Sequence, residues 1–292
     1  MGKIKNISLG WGFMAPAIIF VLLFTIIPLM YAFHLSAYNT NGLIPGVFVG
    51  FGNYVTLFTK DPLFYKTFII LVIYLAIGVS LQTVGPLLGA KMIYSLKSDR
   101  LGYLYRVIFV LPLIVPSVVT ILVWKNMYLS SGAINKFLTA IGFGDITMSW
   151  IGNPDTALYA ILFMAVPFIG GINLLIFLAG FMNLDKSMYE AGRMEGAGWW
   201  HMFRKIEVPL LMPQLRITFV LSIVGLATNY QQIIIMTQGG PGNSTMLPAY
   251  YMFQNAFKFG KLGYGTAIGV ILFILLLGFT FISFKFMKNR DA

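Results

Sequence analysis

Asn229, Tyr230, Gln231 and Gln232 place four polar side chains in a row inside an apolar run, 214–236, and are the residues best suited to chemistry with a solute. Amides offer donors and acceptors together, and a tyrosine adds a ring face with a polar tip; the set matches a neutral, hydroxyl-rich molecule. Consecutive residues point around a whole helix, so only part of the set shares one path. Asn229 with Gln232 or Ile233 forms the first candidate face, with Tyr230 as a stacking ring. Gly170, Gly171 and Asn173 add small volume and another amide in the run 156–181. The competing reading is structural, because amides inside a membrane also bond helix to helix and small residues let helices approach.

Other chemistry finds little footing. His34 and His201 fall in segments expected on opposite sides of a membrane, so they cannot share a metal. No carboxylates pair within an apolar run and no Ser/His/Asp set converges, so no catalytic residue is assigned. With no cysteine, thiolate metal sites and thiol nucleophiles are excluded. GWGFMA at Gly10 mimics part of a dinucleotide fingerprint but opens an apolar run rather than following a strand, and GGPGNST at Gly239 lacks the lysine of a phosphate loop. No metal or cofactor is expected, and the chain is not expected to bind ATP itself.

The elements that must position these residues follow from composition. At 58% hydrophobic and only 10% charged, with mean hydropathy +0.83, the 292-residue chain is too apolar for a soluble domain and reads as a polytopic, all-α membrane protein. Six stretches are long enough to cross a bilayer, near 11–33, 66–90, 107–128, 156–181, 214–236 and 262–287. The first is too long for a signal-peptide core and reads as a retained span. Of the 20 Lys and Arg, 14 lie in the N-terminal tail, the 91–106 and 182–216 loops and the C-terminus; this bias places both termini in the cytoplasm. Scattered over short loops, these cations mark topology rather than a nucleic-acid stripe. The opposite loops, 34–65, 129–155 and 237–261, leave no room for a fused soluble domain, so residues 1–292 form one transmembrane domain. FGNY at Phe51–Tyr54 and WIGNPD at Trp150–Asp155 suit ordered interfacial loops. Pro86, Pro112 and Pro116 are expected to kink or interrupt their helices, and Gly85-x(3)-Gly89 and Gly265-x(3)-Gly269 to allow close crossings.

The 182–216 loop is the most unusual polar segment. Ser187 and Glu190 fit a capping box that would start a helix, and Ala191, Gly192, Gly196, Ala197 and Gly198 give up helix propensity for close backbone approach. Trp199, Trp200, Phe203 and Ile206 follow, and Pro209 and Pro213 set the angle into the next apolar run. Physics alone leaves two readings: a docking element for another protein, or an amphipathic helix on the inner leaflet with Arg204 and Lys205 near phosphates.

Glu190, Ala191, Gly196, Ala197, Phe203, Ile206, Pro209 and Pro213 stand in the register E-A-x(4)-G-A-x(5)-F-x(2)-I-x(2)-P-x(3)-P, which resembles the EAA loop of binding-protein-dependent ABC importer permeases. Gly192 and Glu195 depart from it, standing where that family usually has alanine and aspartate. MTQGGPGNST at Met236–Thr245, GYGTAIGVILF at Gly263–Phe273, FVLPLIVPSVV at Phe109–Val119, Trp124 and GAIN at Gly132–Asn135 resemble carbohydrate permeases of the maltose and glycerol-3-phosphate type. The resemblance implies a prokaryotic inner-membrane subunit that imports a sugar or oligosaccharide by alternating access. It implies that 182–213 is a cytoplasmic coupling loop, with Glu190, Ala191, Gly196 and Ala197 meeting an ATPase, and that sugar contacts come from 156–181 and 214–236, where Gly170, Asn173, Asn229, Tyr230 and Gln232 lie. The implied partners are a second homologous permease, two ATPase subunits, an extracytoplasmic sugar-binding protein and membrane lipid, without nucleic acid. The alternatives are an importer for another polar solute, against which GGP argues, and an ion-coupled transporter or channel. That last reading wants intramembrane carboxylates, and all nine acidic residues lie outside the expected spans. A purely structural membrane scaffold offers no reason for the in-span amides.

Overall fold

The computed structural model describes residues 13–43 and 46–286. The Gly10 segment with Lys3 and Lys5, the start of the expected span 11–33, and residue 287 with Lys288 and Arg290 lie outside the described residues.

Three helices among the described residues are long and apolar enough to cross a membrane: Phe13–Ser36, Pro62–Tyr94 and Leu262–Lys285. The number rises to five if each of two bent pairs is one crossing. Asp99–Ile114 and Ser117–Met127 meet at 93°, and Trp199–Leu210 and Met212–Thr228 at 72°. The apolar run 156–181 is likewise divided, into Pro154–Phe163 and Ile172–Met182.

Local sequence accounts for these ends. Asn153 caps its helix by accepting from the Asp155 N–H at 3.0 Å, with Pro154 at the first helical position. Ser98 accepts from the Leu101 N–H at 3.4 Å, and Asp99 adds negative charge to that first turn. Pro112 and Pro116 interrupt the 107–128 run, as their missing N–H groups predict. Pro86 differs from expectation: Pro62–Tyr94 runs through it as one helix.

The chain divides into two compact units, one drawn from the chain up to Phe64 with Tyr251–Phe273, the other from Tyr65–Tyr250 with the chain from Ile274. In the first unit, the apolar face of Phe13–Ser36 is unburied, as suits contact with lipid. Its loop carries the only strands among the described residues, Tyr38–Asn39 paired antiparallel with Val47–Phe48. The FGNY stretch orders this loop: the Asn53 amide donates to the Ser36 and Tyr38 carbonyls at 2.8 and 3.0 Å, and the Tyr54 hydroxyl meets that of Ser36 at 2.7 Å. Asp61 starts Pro62–Tyr94 by accepting from the Phe64 N–H, and its second oxygen accepts from the Tyr251 and Tyr264 hydroxyls.

In the second unit, Asn135 of the GAIN stretch is buried and its amide donates to the Leu129, Ser130 and Met148 carbonyls while its oxygen accepts from the Trp150 ring N–H at 2.8 Å. One asparagine thus organises the 129–150 connection. The GGP turn is held by Lys66, which donates to the Gly242 carbonyl at 2.8 Å, and by Thr245, which donates to the Gly240 carbonyl. Gly85 and Gly89 do allow close approach, but to a loop rather than a helix. A Cβ at Gly85 would overlap the Phe168 carbonyl and one at Gly89 the Ile169 side chain.

Candidate functional site

Three interruptions of helical structure in the second unit border the same space. Residues 111–116, residues 164–171 and Asn229 all line a pair of adjoining cavities of about 560 and 510 Å³. Non-helical backbone at membrane depth is tolerated only where protein buries it or a cavity supplies polar partners, and these three breaks share one such pair of cavities. The cavities share Gln82, Thr120 and the Pro112 turn. Every side chain in both linings is uncharged.

The expected path residues divide between these cavities. Asn229 and Gln232 line the first; Gly170 and Asn173 line the second; Tyr230 lines neither. Most of this amide chemistry is already used within the protein. Asn229 is the break in its helix and caps Tyr230–Met236, its oxygen accepting from the Gln232 N–H at 3.3 Å. The Gln232 amide donates to the Ile161 carbonyl at 3.1 Å, and its oxygen accepts from Tyr74 and Asn229, each at 3.3 Å. The Asn173 amide donates to the Gln82 carbonyl at 2.8 Å and the Ser222 hydroxyl at 3.1 Å. Gly170 lets its loop meet the Phe109 carbonyl, which a Cβ would approach to 2.6 Å, and Gly171 takes φ +84°. Lining residues passed over in the sequence are Tyr74, Gln82, Ser117, Thr120 and Ser222. Their signal was available: each is a polar residue inside an expected span.

The second feature is the segment after Ile172–Met182. It holds two helices, Lys186–Met194 and Trp199–Leu210, the latter with a π-helical turn at Phe203–Glu207. The cap is Asp185 rather than Ser187: its carboxylate accepts from the Ser187 N–H at 2.9 Å, a bond that holds the carboxyl below its ordinary pKa. Gly196 ends the first helix at φ +76°, and the Ala197 N–H returns to the Gly192 carbonyl at 2.9 Å, the closure that favours glycine at this position. Gly192, one of the two departures from the family pattern, is buried where the second helix crosses; a Cβ there would press on Met202 and Ile206. Glu190 and Ala191 lie on the exposed side.

Behind this segment the structure places an ion pair unforeseen in the sequence. Lys91 and Glu207, 5% and 0% exposed, meet directly. They sit beside the apolar core that includes Leu87, Ala90, Phe177, Phe181, Phe203 and Leu211. Burial first, then Glu207 and Tyr94, raise the Tyr189 hydroxyl above the ordinary phenol range.

Comparison with known proteins decides the family. The profile described as binding-protein-dependent transport system inner membrane component matches residues 83–290. The chain belongs to this family. It is 31% identical over 290 residues to the trehalose/maltose transport system permease protein MalF of Thermococcus litoralis, covering 99% of this chain and 96% of that one. It is 29% identical to the probable ABC transporter permease protein YurN of Bacillus subtilis, covering 98% of each, and 28% identical to the lactose transport system permease protein LacF of Rhizobium radiobacter, covering 96% and 94%. Its fold matches a bacterial ABC transporter that imports the acidic polysaccharide alginate, with a TM-score of 0.82 at 20% identity over 100% of this chain and 99% of that one. The chain is therefore an inner-membrane permease subunit of an ABC importer, without an ATPase site of its own.

Proposed function

We propose that this permease subunit passes a neutral sugar or oligosaccharide through the paired cavities by alternating access. The observation that carries the reading is the convergence of three helix interruptions on one uncharged, amide-bearing space. Gln82, Thr120 and Asn229 supply the polar groups, and Gln232 and Asn173 hold the broken helices in place. Two of the named relatives, MalF and LacF, are named for trehalose, maltose and lactose, which are neutral. The structural neighbour handles an acidic polymer, whereas the linings here contain no cation to match one.

We propose the rest of the assembly by analogy with the family. The chain crosses the membrane six times with both termini in the cytoplasm, and residues 182–213 form the coupling loop, with Glu190, Ala191, Gly196 and Ala197 toward an ATPase. A second permease and two ATPase subunits complete the machine. A sugar-binding protein delivers from outside, as the neighbouring alginate transporter is seen bound to a loaded periplasmic protein.

The test is reconstitution of the complex purified from native membranes into vesicles, with uptake of labelled neutral oligosaccharides, uronate oligosaccharides and amino acids. ATP-dependent uptake of neutral sugar alone is expected. Uptake of amino acids would move the chain to the other importer class, and ATP-independent flux would restore the channel reading.

A further inference from the structure

We propose that the Lys91–Glu207 pair is the joint through which movement of the 186–210 segment reaches the helix that lines the solute cavities. The inference rests on the transport reading above. Lys91 stands near the end of Pro62–Tyr94, nine residues beyond Gln82 and so about 14 Å along the same helix from the polar lining. Glu207 closes the π-helical turn of Trp199–Leu210. A buried ion pair is weak as a source of stability, since well-packed apolar residues of similar volume usually do as well or better. What it supplies is direction. The ammonium is held by the carboxylate on one side, and the Phe181, Tyr189 and Trp199 rings stand 5.8, 6.0 and 5.9 Å from it. Two of those rings belong to the 186–210 segment, so cation and segment are fixed to each other from several sides. Apolar packing joins the same two elements, with Leu87, Ala90 and Ile93 of the helix in one core with Phe203 of the segment, but apolar contact is non-directional. A slip that such packing would absorb is converted by the charged joint into displacement of the Pro62–Tyr94 helix.

Breaking one partner leaves a buried charge and endangers folding, so the informative variant removes both: Lys91→Met with Glu207→Leu, in the full chain with its ATPase and permease partners. The measured quantity is sugar imported per ATP hydrolysed in vesicles, alongside the amount of ATPase that co-purifies. The double variant is expected to assemble normally and hydrolyse ATP, with the ratio reduced about fivefold or more, the usual scale of coupling between sites. Lys91→Arg, which keeps the charge, is expected to retain most of the ratio. A double variant with the wild-type ratio overturns the joint, as does an equal loss in Lys91→Arg, which would make shape rather than charge the cause. A wild-type complex that hydrolyses ATP but imports no sugar overturns the transport reading and the joint with it.

Discussion

The cavity lining and the 186–210 segment treat their surface groups in opposite ways. Around the cavities, Gln232, Asn229 and Asn173 spend most of their hydrogen-bonding capacity on the Ile161 and Gln82 carbonyls, Tyr74, Ser222 and each other. On the segment, Glu190 and Ala191 are exposed beside Trp199, Trp200 and a Met194 that is 89% exposed. The amides of the first region are largely partnered within the chain, which preorganises its polar lining. The second displays apolar area and a carboxylate with the appearance of half an interface. The proposed path is thus lined by groups that also hold the broken helices, and the proposed docking surface centres on the exposed Glu190 and Ala191. Mutations should damage folding in the first region and assembly in the second.

The largest effect should come from Gly85→Val. The helix there touches the Phe168 carbonyl, so any side chain must displace the 164–171 loop, and overpacking of this kind costs about 1–3 kcal/mol. Thermal unfolding in detergent should fall by several degrees and uptake should be lost; unchanged stability would mean that the loop does not pack on this helix. Gln232→Leu should come next, because it leaves the Ile161 carbonyl and the Tyr74 hydroxyl without this partner at about 1–3 kcal/mol. A loss of uptake with full stability would instead make Gln232 a direct sugar contact and erase the contrast between regions.

Gly196→Val imposes φ +76° on a β-branched residue and should cost about 1–3 kcal/mol, lowering ATPase co-purification, while Gly196→Asn should retain most of it. Equal retention by both would show that the turn plays no part in assembly. The smallest effect concerns Asp185. Its carboxyl is held below the ordinary value of 3.8, so the cap is fully effective above that value and is lost as pH falls through the lower folded value. Exchange of the Ser187 amide hydrogen should show greater opening in that acid range, and Asp185→Asn, which still accepts a hydrogen bond, should abolish the dependence.

What was legible in the sequence divides along the same line. The segment's register from Glu190 to Pro213 is local, each small residue and proline acting on its own backbone, so it stood out in the sequence, and the resemblance to the EAA loop gave it a docking role. The cavity was only half visible. An apolar run reads the same whether its helix is straight or broken, so the divisions at 164–171 and Asn229 passed unseen although Gly170, Gly171 and the amides were noticed. Pro112 and Pro116 announced their break, whereas Pro86 has the same chemistry and lies within an unbroken helix. The cap moved from Ser187 to Asp185 because two capping residues, two positions apart, fit the same start signal. Lys91 and Glu207 are 116 residues apart and share no periodic signal, so only the fold could bring them together.

The central claim is that the exposed face around Glu190 docks on an ATPase, and the absence of native cysteine makes it directly testable. A single Ala191→Cys should react with a maleimide in the isolated permease and be protected in the complex purified from native membranes, with crosslinking from this site to a subunit that hydrolyses ATP. Equal labelling in both preparations, with no ATPase crosslinked, would contradict the account.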